Sequence, residues 1–296
     1  MTAPSKRAPE RCDSMSDKPI IAIMYDFDKT LSTRDMQDFA LIPSLGMESG
    51  DFWKAANDFG REQKMDGILA YMYTAIREAQ RQQKPLRREQ LVAHGKSVEF
   101  FPGVERWFDR IDTYGEAQGV IIEHYIISSG MKEIIEGTPI AHRFKEIFAC
   151  EYYFDENGDA VWPKTAVNYT NKTQFVYRIN KGVLDVSNDT DLNRSMPDDS
   201  KRVPFTNMIY IGDGLSDVPC MKMMQAYGGT SIAVYPEGQR NKVEELLLKD
   251  RVNFIFPADY REESELSNAM ESIIRKIAIC DTLTEISEAQ LKSITE

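Results

Sequence analysis

Cysteine is scarce in this 296-residue chain: Cys12, Cys150, Cys220 and Cys280 lie far apart and form no C-x-x-C pair. That spacing excludes a zinc knuckle or a redox dithiol and makes a reducing cytoplasm the simplest setting. No apolar run approaches the length needed to span a bilayer. Positive charge is also short: 36 Lys and Arg stand against 47 Asp and Glu, a formal net charge of −11. Phosphate backbones are gripped by lysine and arginine, so this balance argues against nucleic acid or an anionic membrane as a main partner. A small phosphorylated substrate stays open, because it needs only a local cation or a metal. Internal repeats and low-complexity tracts are absent. Residues 1–18 carry Lys6, Arg7 and Arg11 but no apolar core of a signal peptide, and are expected to form a disordered leader with Met15 as an alternative start.

What the chain does hold is a set of apolar runs that end in chemistry. Ile20-Ile21-Ala22-Ile23-Met24-Tyr25 follows Pro19 and stops at Asp26-Phe27-Asp28-Lys29-Thr30. A nearly continuous run of this kind reads as a strand buried on both faces of a parallel sheet. Side chains two apart on extended backbone point the same way, so Asp26 and Asp28 converge beyond the strand's carboxyl end, where open α/β sheets bind ligands. Converging carboxylates repel, and a cation or unequal protonation relieves them. Taken alone, the stretch is equally an acidic turn. A second run, Val120 to Ile127, ends in Ser128-Ser129-Gly130 and leads into a helix from about Met131 to Gly137. That junction is an anion site of free amides and hydroxyls, or an ordinary N-cap. A third run, Asn207 to Ile211, delivers Gly212-Asp213-Gly214-Leu215-Ser216-Asp217.

Between the first two runs the pattern is helical, from about Asp35 to Lys96. Leu69, Met72, Tyr73 and Ile76 recur at three- and four-residue spacing behind Asp66, which is placed to cap that helix, and Phe52, Ala55, Ala56 and Phe59 form a second stripe. Both stripes read as the core of a small inserted subdomain. Asp155-Glu156-Asn157-Gly158 between apolar runs predicts a hairpin. A helix is expected from Thr170 to Asn180, closed by Gly182, with Lys172 in its first turn, where the dipole disfavours a cation unless an anion is near. The polar stretch 183–204 reads as a long solvated loop. Strands are expected near 230–235 and 253–256, with a helix at 239–249 between them and an amphipathic helix at 264–279 to close the chain. The alternation places the chain in the α/β class, a doubly wound parallel sheet with a helical insert.

Three strand ends thus bear an Asp-x-Asp, a Ser-Ser-Gly and a Gly-Asp-Gly-x-x-Asp, with a lysine at a helix start before the third. This ordered set resembles the haloacid dehalogenase superfamily of phosphohydrolases, and more closely its phosphoserine-phosphatase-like branch, over Ile20 to about Tyr235. The resemblance implies residues 19–33 and 98–296 as the core and 34–97 as the helical cap. It implies Asp26 as nucleophile, forming an aspartyl-phosphate, and Asp28 as general acid and then base. Ser128 and Lys172 would bind the phosphoryl oxygens. Magnesium would be held by Asp26, the backbone carbonyl of Asp28, Asp213 and, directly or through water, Asp217. Lys164, eight residues before Lys172, is a rival for the lysine. The second aspartate favours phosphate esters over halides, since an alkoxide needs a proton to leave and a halide does not. The implied activity is magnesium-dependent hydrolysis of a small phosphorylated metabolite in the cytoplasm. A phosphotransferase using the same intermediate and a non-catalytic phosphate-binding module are the alternatives. Asp35 lies about where phosphoserine phosphatases are expected to hold the substrate's amino group. No companion arginine stands out among Arg34, Arg61 and Arg77, so Asp35 reads as a solvated charge.

Overall fold

A computed structural model of the protein describes residues 18–197 and 200–295. The expected leader, Cys12, Met15, and Asp198 and Asp199 of the polar stretch lie outside the described residues, apart from Lys18. The strands are β1 (Ile20–Tyr25), β2 (Ile121–Met131), β3 (Phe144–Phe154), β4 (Ala160–Thr165), β5 (Met208–Gly212), β6 (Thr230–Tyr235) and β7 (Phe254–Pro257). They form one sheet of order β4-β3-β2-β1-β5-β6-β7, parallel throughout except for the antiparallel β3–β4 pair. This is the doubly wound α/β class. The chain leaves β1 for β2 on one side and reaches β5 on the other, so the strand order reverses at β1, and the crevice beyond β1 and β5 is the natural place for a ligand.

β1 is buried from Ile21 to Tyr25, as an unbroken apolar run inside a parallel sheet requires. Its register with β5 pairs Tyr25 with Ile211, and the ladder continues one residue further through Asp26 N donating to Ile211 O at 2.9 Å. Asp26 is therefore pinned beside the strand end that carries Gly212 and Asp213. The ring of Tyr25 is locked from the other direction. Trp107 Nε1 donates to Tyr25 OH at 2.9 Å, Tyr25 OH meets His124 Nδ1 at 3.0 Å, and His124 Nε2 meets Asp112 Oδ1 at 3.0 Å. A single tautomer with the proton on Nε2 satisfies the whole chain.

The helices are α1 (Leu41–Ser44), α2 (Ser49–Gln63), α3 (Gly67–Arg81), α4 (Arg88–His94), α5 (Val104–Ala117), α6 (Lys132–Glu136), α7 (Lys172–Lys181), α8 (Asp189–Asn193), α9 (Val218–Ala226), α10 (Glu244–Leu248) and α11 (Glu265–Thr295). Asp66 caps α3 by accepting from Ile68 N at 2.9 Å, as its position predicts. The buried stripe of α3 differs from expectation: Met72, Ala75, Ile76 and Ala79 face inward, whereas Tyr73 is 45% exposed and stacks on Phe59 with centroids 5.0 Å apart. The helix expected at 239–249 is broken into a 3-10 turn and α10. α11 continues well past Ile279, because nothing between 265 and 295 is Gly or Pro to stop it.

The polar stretch 183–204 is largely exposed, as expected, but its described residues include α8 and are tethered to the body of the protein. Arg178, 1% exposed, donates to the carbonyls of Asp185, Val186 and Asn188 and to the Asp189 carboxylate. Arg202 adds a two-pronged grip on Glu123, at 2.5 and 2.6 Å. Two long cationic side chains thus fasten this segment, with Val203 buried in the core and Leu184 packed against it.

Glu133, 1% exposed, ties α6 to β3. Its Oε1 accepts from Tyr152 N at 3.1 Å, and its Oε2 has no hydrogen-bond partner among the described residues. Burial, with Glu151 and Glu136 adding to it, pushes this carboxyl from 4.5 up to about 7. The folded state then holds the proton better than the unfolded chain. The associated stability is complete below about pH 4.5 and is lost as pH rises through about 7. Glu133→Gln is expected to gain on the wild type between about pH 5 and pH 8, by up to about 3 kcal/mol. Melting curves at the two pH values measure this, and equal pH slopes for both proteins would remove Glu133 as the source.

Candidate active site

The site is assembled from the ends of β1, β2 and β5 and the first turn of α7. Carboxylate oxygens of Asp26, Asp213 and Asp217 lie within 4.8 Å of one another. Three such groups repel strongly at that spacing. Lys172, 0% exposed, lies against two of them, its Nζ 3.1 Å from Asp26 Oδ1 and 2.8 Å from Asp217 Oδ1. Burial by itself favours the neutral amine, but Asp217 and then Asp26 outweigh it and hold the Lys172 ammonium above its ordinary range. The cation disfavoured by the helix dipole thus has its anions. Lys164, by contrast, stands on β4 and pairs with Glu151 at 2.7 Å.

Asp217 is heavily committed. Its Oδ1 accepts from Lys172 and, at 2.7 Å, from Tyr210 OH. Gly212 passes so close beneath that a Cβ there would collide with Asp217 Oδ2, which is why the strand must end in glycine. Asp217 is therefore shaped to orient Lys172, while Asp26 and Asp213 keep oxygens toward the cleft. Burial first, then Asp217 and Asp26, push Asp213 up to about 8. Burial, only partly offset by Lys172, pushes Asp26 up to about 6. A site that charges its own carboxylates so unwillingly is suited to a divalent cation, which would relieve both.

Asp28 lies outside this trio. Its Oδ1 accepts from Met36 N at 2.7 Å, leaving Oδ2 free beside Gly130. Burial, then Asp35 and Asp26, push its pKa well above the usual carboxylate range. One Asp-x-Asp pair therefore supplies two different groups: one held beside a lysine, the other disposed to keep a proton.

Ser128 is buried, and its Oγ accepts from Gly130 N at 3.0 Å. This stretch still belongs to β2, rather than to a helix N-terminus, and Ser129 is the residue that lines the cleft. The cleft measures about 320 Å³. Its floor is Asp26, Asp28 and Asp213, and Lys29, Asp35, Ile68, Tyr169 and Leu215 stand around its mouth. Asp35 is not the solvated charge the sequence suggests: Lys29 Nζ grips both its oxygens, at 2.8 and 2.6 Å. Tyr210, Tyr169 and the Lys29–Asp35 pair carry no local sequence signal. Their partners are brought to them by the sheet.

A sequence model described as haloacid dehalogenase-like hydrolase matches residues 23–222. An uncharacterized protein of Borreliella burgdorferi is 29% identical over 284 residues, 86% of this chain and 96% of that one. Among solved structures, a HAD family hydrolase from Salmonella enterica serovar Typhi aligns with a TM-score of 0.54 at 17% identity, covering 83% of this chain and 70% of its own. A substrate-bound phosphoserine phosphatase aligns at 0.52 and 14% identity, covering 86% and 99%. At such identities the structural likeness speaks for the fold.

Proposed function

The chain belongs to the haloacid dehalogenase-like hydrolases, and from that premise we propose that it is a magnesium-dependent phosphatase of small phosphorylated metabolites, working through an aspartyl-phosphate. The observation that carries this reading is the pairing of a lysine-held Asp26 with an Asp28 turned onto Met36 N at one strand end, both open to the same cleft. Asp26 would attack phosphorus through a carboxylate oxygen as the P–O bond to the alcohol breaks. Asp28 would pass its proton to the departing alkoxide and then take one from the water that cleaves the acyl phosphate, releasing inorganic phosphate. Ser128 and Lys172 would hold the phosphoryl oxygens and offset their charge.

Asp26 and Asp213, with the backbone carbonyl of Asp28, would hold magnesium, and Asp217 would be a further carboxylate of that site, directly or through a water. When bound, the ion would neutralise phosphoryl charge and orient the group for attack. Residues 34–97 would serve as the cap. They are fastened to the rest by Tyr71 OH donating to Ser129 O, Tyr152 OH donating to Met72 O and Arg87 pairing with Asp159. No helix among the described residues is long and apolar enough to cross a membrane. The free thiols of Cys150, Cys220 and Cys280 support a cytoplasmic setting.

Hydrolysis of p-nitrophenyl phosphate tests the reading. Wild-type turnover should require Mg²⁺ and stop with a chelator. Asp28→Asn should keep the metal-induced rise in Tm yet turn over roughly 10²- to 10⁴-fold more slowly. A folded wild type that is inert, or equally active without metal, would exclude the proposed chemistry.

A further inference from the structure

The departing alcohol must extend from Asp26 toward the mouth of the cleft, so the residues there choose the substrate. The charges available at the mouth are Lys29 and Asp35, and each is consumed by the other. Lys29 has a left-handed backbone, φ 57°, which turns its side chain across to Asp35. The two side chains are 44% and 30% exposed, at the rim rather than in the core. Lys29 also faces Asp28 and Asp213, so drawing it away would leave three carboxylates without it.

None of the arginines near the cap is free to replace it. Arg34 lies over the Phe39 ring at 4.2 Å, Arg61 pairs with Asp58, and Arg77 pairs with Glu78 at 3.2 Å and lies over Phe59. The other rim residues are uncharged. Ile68, Tyr169 and Leu215 offer apolar surface, Tyr169 being 58% and Leu215 73% exposed.

Resting on the phosphatase reading, we propose that the Lys29–Asp35 pair is a charge lock that selects monophosphates of uncharged alcohols with an apolar or ring-shaped body. A leaving group carrying only a carboxylate would strip Lys29 from Asp35. One carrying only an ammonium would strip Asp35 from Lys29. A zwitterionic amino acid must part contacts of 2.6 and 2.8 Å and finds no compensating charge in Ile68, Tyr169 or Leu215. An uncharged alcohol leaves the pair closed and covers the apolar rim.

The test compares kcat/KM for phenyl phosphate, 3-phosphoglycerate, phosphoethanolamine and phosphoserine in the wild type, Asp35→Asn and Lys29→Met. The wild type should favour phenyl phosphate. Asp35→Asn frees the lysine and should raise the 3-phosphoglycerate to phenyl phosphate ratio roughly two- to fivefold, the worth of a partly exposed ion pair. Lys29→Met frees the carboxylate and should raise the phosphoethanolamine ratio by a similar factor. Ratios within one variant are insensitive to partial loss of fold or turnover. Unmoved ratios in both variants, or a wild type that prefers phosphoserine, overturn the lock while leaving the phosphatase standing. Absence of turnover on every ester, p-nitrophenyl phosphate included, overturns both.

Discussion

Asp26→Asn is expected to leave a folded protein without measurable phosphatase activity, a fall of about 10⁴-fold or more. A carboxamide is no nucleophile at phosphorus, and the neighbouring carboxylates have other partners: Asp217 is committed to Lys172 and Tyr210, Asp28 is turned onto Met36 N, and Asp213 would be held by the metal. The fold should tolerate the change. The Asn oxygen can still accept from Phe27 N, which donates to Asp26 Oδ1 at 2.8 Å, and the side chain keeps its volume. Two electrostatic effects oppose each other. Attraction to Lys172 is lost, but so is the cost of burying a carboxylate whose pKa burial has pushed up to about 6. The net change in stability should stay within about 1 kcal/mol, or roughly 2–4 °C in Tm. Steady-state kinetics with a melting curve on the same sample measure both. Acid-quenched wild type should carry phosphate on the peptide containing Asp26, and the variant none. A folded variant with near-wild-type turnover would place the nucleophile elsewhere.

Lys172→Met should produce the larger structural effect. The ammonium is 0% exposed and bridges Asp26 and Asp217, which come from distant parts of the chain. Methionine fills similar space but leaves three carboxylates within 4.8 Å without that charge. Removing one partner of a buried ionic group costs about 3–5 kcal/mol, or a fall in Tm of roughly 6–20 °C at this size. Activity should vanish with it. The electrostatic origin has its own signature, because Mg²⁺ should return part of the lost Tm and Asp217→Asn should do the same in the double variant. A packing defect would respond to neither. A fall in Tm that neither treatment recovers, or no fall at all, would show that Lys172 is not the counter-charge of the acidic cluster.

Much of this architecture is legible in consecutive residues. The apolar runs at 20–25 and 208–212 become β1 and β5 because a strand buried on both faces must be apolar at every position. The turn glycines and the Asp66 cap likewise announce themselves through local backbone chemistry. Other features are misread for the same local reason. Arg178 looks like an ordinary helix charge, and the exposed stretch at 185–188 gives no sign that its carbonyls anchor on that arginine, because neither shows in sequence that it serves the other.

The sequence by itself determined the α/β class, the order of the strands along the chain and the residue types gathered at their ends, because periodicity and turn chemistry act between near neighbours. Only the tertiary structure decided which of those residues meet. The parallel register set Asp26 beside β5, and the packing of α7 set Lys172 under Asp26 while Lys164 went to Glu151. Tyr210 was turned onto Asp217, and Lys29 was locked to Asp35. Each of these pairings depends on directions in space that sequence spacing does not encode, and the low dielectric of the buried site gives Lys172 and Tyr210 their weight.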